Sequence, residues 1–244
     1  MGRTGIRNAS GLALLSAGVL IFEITLTRLF AIQQFYHFAF MVVSLAILGF
    51  AASGLLLTLR STPPLLSWVA GGFSIFIILA YLIINYLPFD SFSIAWDPKQ
   101  AWILILYFAA TGLPFLFAGW AIGSSLDQAG EHAYQPYAAN LIGSAFGCPL
   151  ALGSIALFGG EKTVLLSAVL GLLAGLFFAR ERRTIFILSP LIFNFSKFFF
   201  FKCNKRNLLF YIPSWNIIKH FLNRFSHFFK DKRKRYINRA DILT

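Results

Sequence analysis

Two apolar runs decide how this chain is read: GLALLSAGVLIFEITLTRLFAI at residues 11–32 and HFAFMVVSLAILGFAASGLLLTL at residues 37–59. Only the short turn QQFY, residues 33–36, separates them. Each run has about the 20 residues that an α-helix needs to cross ~30 Å of hydrocarbon. In lipid every backbone N–H and C=O must be satisfied within the protein, so a membrane hairpin of two helices is the expected form. The first run also carries Glu23 and Arg28. A charge well inside a bilayer costs about 2.5 kcal/mol or more, so these two residues need a reason.

The same pattern continues along the chain. Ser61-Thr62-Pro63-Pro64 breaks the second run, and further apolar segments follow at about 65–87, 101–125, 138–158 and 163–179. The chain is 58% hydrophobic and only 12% charged, against the roughly 25% charged residues of a soluble domain. The expected fold is therefore all-α: a polytopic bundle of six transmembrane helices over residues 11–179, after a polar leader at 1–10. The first run is long and interrupted by Glu23 and has no small-residue cleavage site, so it reads as a span and not as a cleaved signal.

Charge divides the chain at residue 180. Residues 1–179 balance six basic residues against six acidic ones, whereas residues 180–244 hold fifteen basic against three acidic. The whole net charge of +12 therefore belongs to the tail. All 19 glycines lie at or before Gly175, and no valine follows Val169. So abrupt a change marks either a separate segment or a sequence read outside its ancestral frame. With the N-terminus inside, Arg3, Arg7, Arg60, Arg180, Arg182 and Arg183 all fall on the cytoplasmic side, and only Lys99 and Lys162 fall outside.

Residues 184–201 are apolar enough to suggest a seventh span, but a crossing there would carry the basic tail outward, against that charge rule. Farther on, Ile218, Phe221, Leu222, Phe225, Phe228 and Phe229 gather within about 120° of arc on a helical projection. Lys219, His220, Asn223, Arg224, His227 and Lys230 occupy the opposite side. A basic amphipathic helix at 214–230, followed by DKRKR at 231–235, would lie on anionic lipid head groups. For a membrane-anchored chain, nucleic acid is not the expected partner of that run.

Within the spans, Glu23 and Arg28 lie about 140° apart on a helix and do not face one another. Arg28 stands near the far end of its segment and would snorkel. Glu23 is deeper, with Thr27 one turn on. Two readings stand for it: a proton or cation site, or a hydrogen-bonding group between helices. His37 at the mouth of the second segment and Asn140 in the fifth are the other polar candidates for an intramembrane site. Gly119 and Gly123, Gly143 and Gly147, and Gly171 and Gly175 each repeat a small residue at a four-residue spacing, which lets membrane helices approach closely, within one chain or between chains. Pro114 and Pro149 are expected to kink their helices. Cys148 and Cys203 have no metal or disulfide spacing, and no phosphate loop, zinc-protease motif or nucleophile elbow is present, so neither cofactor nor metal is expected.

SAGVLIFEITLTRLF, YHFAFMVVSLAILGFAASG, GLPFLFAG and YAANLIGSAFGCPLAL, in that order, resemble the N-terminal membrane region of the membrane-bound spermidine synthase-like proteins of bacteria. The resemblance spans about residues 11–179. Its markers are Glu23, Arg28, His37, Gly49, Pro114, Phe115, Gly119, Gly143 and Gly147. Relatives commonly carry Asp where this chain has Asn140. The resemblance implies a multi-pass protein of the bacterial inner membrane with both ends cytoplasmic. It also implies a following Rossmann-like aminopropyltransferase domain with a glycine-rich nucleotide loop. A tail without glycine cannot supply that loop. The expectation is a truncated or frame-disrupted member, non-catalytic as it stands. The alternative is a small-solute or polyamine carrier that uses Glu23.

Overall fold

The computed structural model describes residues 3–33, 36–59, 64–87, 89 and 98–179. They belong to the first of two compact units, Met1–Phe201; the second, Lys202–Thr244, lies outside the described residues. So do the candidate seventh span at 184–201 and the amphipathic segment at 214–230.

Among the described residues there are six α-helices: α1 (Arg3–Gln33), α2 (Tyr36–Leu59), α3 (Leu66–Tyr86), α4 (Pro98–Ala129), α5 (Tyr134–Phe158) and α6 (Gly160–Phe178). All six are long and apolar enough to cross a membrane. The bundle is all-α, as the apolar periods require. Several boundaries differ from the sequence reading, α5 and α6 among them, which start earlier, at Tyr134 and Gly160. Helix α1 begins at Arg3, so residues 3–10 continue the helix rather than precede it. Helix α4 runs from Pro98 to Ala129, longer at both ends than its apolar core, and opens on a proline whose missing N–H costs nothing in a first turn. Both internal prolines, Pro114 and Pro149, lie inside unbroken helices. Between α5 and α6 the link is one residue, Gly159, at φ 82°. A side chain there would be strained, so glycine makes the reversal possible.

Helix α1 is the axis. Its apolar window is 61% buried, against 22% for α2 and α5, because it packs on α5, α6 and α2 and touches α4. Helix α3 packs on α4 and α6, and α2 on α4, which closes a ring beside α1 with α5 attached to its outer flank. Phe22, Phe73 and Phe115 are fully buried at the centre, with the Phe22 and Phe115 rings 5.4 Å apart. Where α1 ends, Phe30, Tyr107, Phe89 and Phe38 form an aromatic chain with centroid spacings of 6.4, 5.5 and 5.8 Å. The Tyr107 hydroxyl donates to the Leu87 carbonyl at 2.7 Å, satisfying a backbone acceptor at the end of α3.

Close approach depends on the glycines. Along α5 the buried residues are Ala139, Gly143, Gly147, Ala151 and Ser154, all small. A Cβ on Gly143 would strike the Ala13 carbonyl, and one on Gly147 would lie 2.9 Å from the Ala17 carbonyl oxygen. Helices α1 and α5 therefore run parallel, with residues 13 and 17 opposite 143 and 147. On α4, a Cβ at Gly119 would meet Ser53 and one at Gly123 would lie 2.5 Å from Leu57 Cδ1, both on α2. Gly171 of α6 packs on Phe73 and Ser74 of α3, and Gly175 is buried in the same helix. The four-residue glycine repeats thus serve contacts inside one chain.

Candidate intramembrane polar site

Helix α1 fixes the depth of its ionisable residues. Arg7 and Arg28 are 21 positions apart, about 31 Å at 1.5 Å per residue, close to the ~30 Å of a hydrocarbon core. Arg28 is exposed on α1. Glu23 is only five positions from it, so its depth is about 7 Å from that level, not the middle of the bilayer. The two side chains differ in environment: Glu23 is half-buried, Arg28 is exposed, and no ion pair joins them.

Glu23 lies seven positions after Ser16, about 20° away on the helical projection, and four before Thr27. The three share one stripe of α1. The Ser16 hydroxyl lies 2.6 Å from Asn140 Oδ1 of α5 and 2.9 Å from its own Leu12 carbonyl, and its single proton serves one acceptor at a time. Thr27 donates to the Glu23 carbonyl at 2.6 Å. Among the described residues no hydrogen bond or ion pair reaches the Glu23 carboxylate.

The four polar candidates are not brought together. Asn140 meets Ser16, about 10 Å along the axis from Glu23. His37 is exposed at the start of α2, and ten residues of α1, about 15 Å, separate Glu23 from Gln33 at that turn. Among the described residues no three His, Cys, Asp or Glu side chains cluster as metal ligands.

Sequence reasoning missed a second polar contact. The Tyr81 hydroxyl of α3 donates to Glu161 Oε2 at 3.3 Å. Glu161 stands in the first turn of α6, where a carboxylate is favoured by the helix dipole. By sequence alone Glu161 falls outside a span, because the apolar run starts two positions later. Most other buried hydroxyls turn inward on their own helices, Ser124 Oγ being buried without a hydrogen-bond partner. Thr25, Ser74, Thr111, Ser154, Thr163 and Ser167 all donate to carbonyls three or four residues earlier. This is how a hydroxyl is satisfied in lipid without a partner helix.

Set against protein-family models, curated proteins and solved structures, the chain matches none.

Proposed function

We propose that this chain is a non-catalytic membrane domain of the spermidine synthase-like type, a scaffold of six helices assembled on α1. The observation that carries this reading is the use of the interior. Aromatic rings fill the centre, most of the buried hydroxyls bond their own backbone, and the glycine faces are occupied by neighbouring helices of the same chain. Such an interior holds helices together, and among the described residues it presents no assembled set of reacting groups. The tail adds a basic surface suited to the anionic inner leaflet of a bacterial plasma membrane. The test is an aminopropyl-transfer assay on the purified chain with putrescine and decarboxylated S-adenosylmethionine. The reading predicts no product, and measurable turnover would contradict it.

A second reading is a small-solute or polyamine carrier, favoured by one observation: the half-buried Glu23 carboxylate has no partner among the described residues. In that case Glu23→Gln abolishes uptake or export in reconstituted vesicles while the chain still folds. Transport of polyamines at the same rate in the variant would discard the carrier.

A further inference from the structure

Arg7 is a partly enclosed cation at one end of the bundle. Its Nε is fully buried without a hydrogen-bond partner, and its side chain is only partly exposed. No carboxylate among the described residues pairs with it; Asp127 and Glu131, the acids at that end of the bundle, are both exposed. Packing fixes where it sits. One turn farther along α1, a Cβ on Gly11 would lie 3.0 Å from Phe177 Cβ and 3.3 Å from the Ala174 carbonyl oxygen. Arg7 thus stands level with the end of α6 at Phe178, where the last carbonyls of a helix lack internal donors and carry its negative pole. That pole favours the guanidinium but leaves its remaining N–H groups without a true anion.

Depth indicates what supplies the anion. The span Gly5–Ile32 has 28 residues, about 42 Å of helix, which covers the hydrocarbon and both head-group layers. Arg7 is the third residue of that span, so the guanidinium lies at the level of lipid phosphates. With Nε buried, the two Nη groups of the guanidinium are left to face a phosphodiester at that depth, which can accept two parallel N–H bonds. With Asp127 and Glu131 both exposed and neither paired with Arg7, a lipid of net negative charge is the form that supplies the anion. We propose that Arg7, at the junction of α1 with the end of α6, is a binding site for the phosphate of an anionic phospholipid.

The test uses the full chain in detergent, titrated with phosphatidylglycerol, with phosphatidylcholine and with inorganic phosphate, and follows the shift in melting temperature. Every variant keeps the basic tail, so its contribution cancels between chains. Arg7→Gln is expected to weaken the phosphatidylglycerol response roughly tenfold or more in concentration, the worth of a hydrogen bond to a charged group. Arg7→Lys, which keeps the charge and loses the fork, falls between the two and serves if the glutamine variant does not fold. In Arg7→Gln/Asn8→Arg the net charge is restored at an exposed neighbour. The weakened response persists there if the site is Arg7 itself. Recovery in that double variant, or an unchanged response in Arg7→Gln, overturns the proposal. A shift of equal size with inorganic phosphate overturns the lipid as occupant.

Discussion

The Ser16 hydroxyl of α1 and the Asn140 amide oxygen of α5 meet at 2.6 Å across two parallel helices. Helix α5 packs on α1 more extensively than on any other helix, so this contact sits in the seam that attaches it to the bundle. Asn140→Leu removes the acceptor, while Ser16 retains the Leu12 carbonyl at 2.9 Å. The cost is therefore modest, about 0.6 kcal/mol and no more than about 1.7, the range measured for hydrogen bonds between membrane helices. Unfolding in a graded detergent titration would register it.

Glycine substitutions along α5 separate packing from helix propensity. Gly143→Ala drives a methyl into the Ala13 backbone, so a loss of about 1–3 kcal/mol is expected. At Gly153 a Cβ would find open space, and Gly153→Ala should be neutral or raise stability by up to about 1 kcal/mol through helix propensity. Equal effects at both sites in the same unfolding assay would refute the seam.

At the other end of the bundle, Tyr107→Phe keeps the ring beside Phe89 and Phe30 but deprives the Leu87 and Ile84 carbonyls of a donor at 2.7 and 3.2 Å. A loss of about 0.5–1.5 kcal/mol follows from one hydrogen bond. No change in stability would mean that this hydroxyl does not hold the end of α3.

Glu23→Leu tests whether the carboxylate is partnered. With no hydrogen bond to lose among the described residues, the leucine variant should gain stability, by about 1 kcal/mol or more given the cost of a polar group in lipid. A destabilised variant would show that Glu23 holds the bundle together.

The sequence was sufficient for the six spans because length and apolar composition are local quantities that the bilayer reads one helix at a time. Its reading of Arg28 as an outward, snorkelling residue rested on position along α1, and position alone determines depth. The glycine repeats marked close approach, but not which helices approach: Gly143 faces Ala13, and Gly119 faces Ser53, through packing between segments far apart in the chain. For the same reason Ser16 could not be paired with Asn140, nor Tyr81 with Glu161, from periodicity. By sequence Arg7 reads only as a positive-inside residue, since the burial of its Nε depends on how the helices pack.

Helix α5 is seated on α1 where Ser16 meets Asn140, and disulfide trapping in native membranes tests that contact most directly. With Cys148 and Cys203 first changed to Ser, Ser16→Cys/Asn140→Cys should cross-link within a single chain on mild oxidation. Glu23→Cys/Asn140→Cys, about 10 Å out of register, should not. A bond in the second pair but not the first, or a first-pair bond found only between chains, would contradict the arrangement of the bundle around α1.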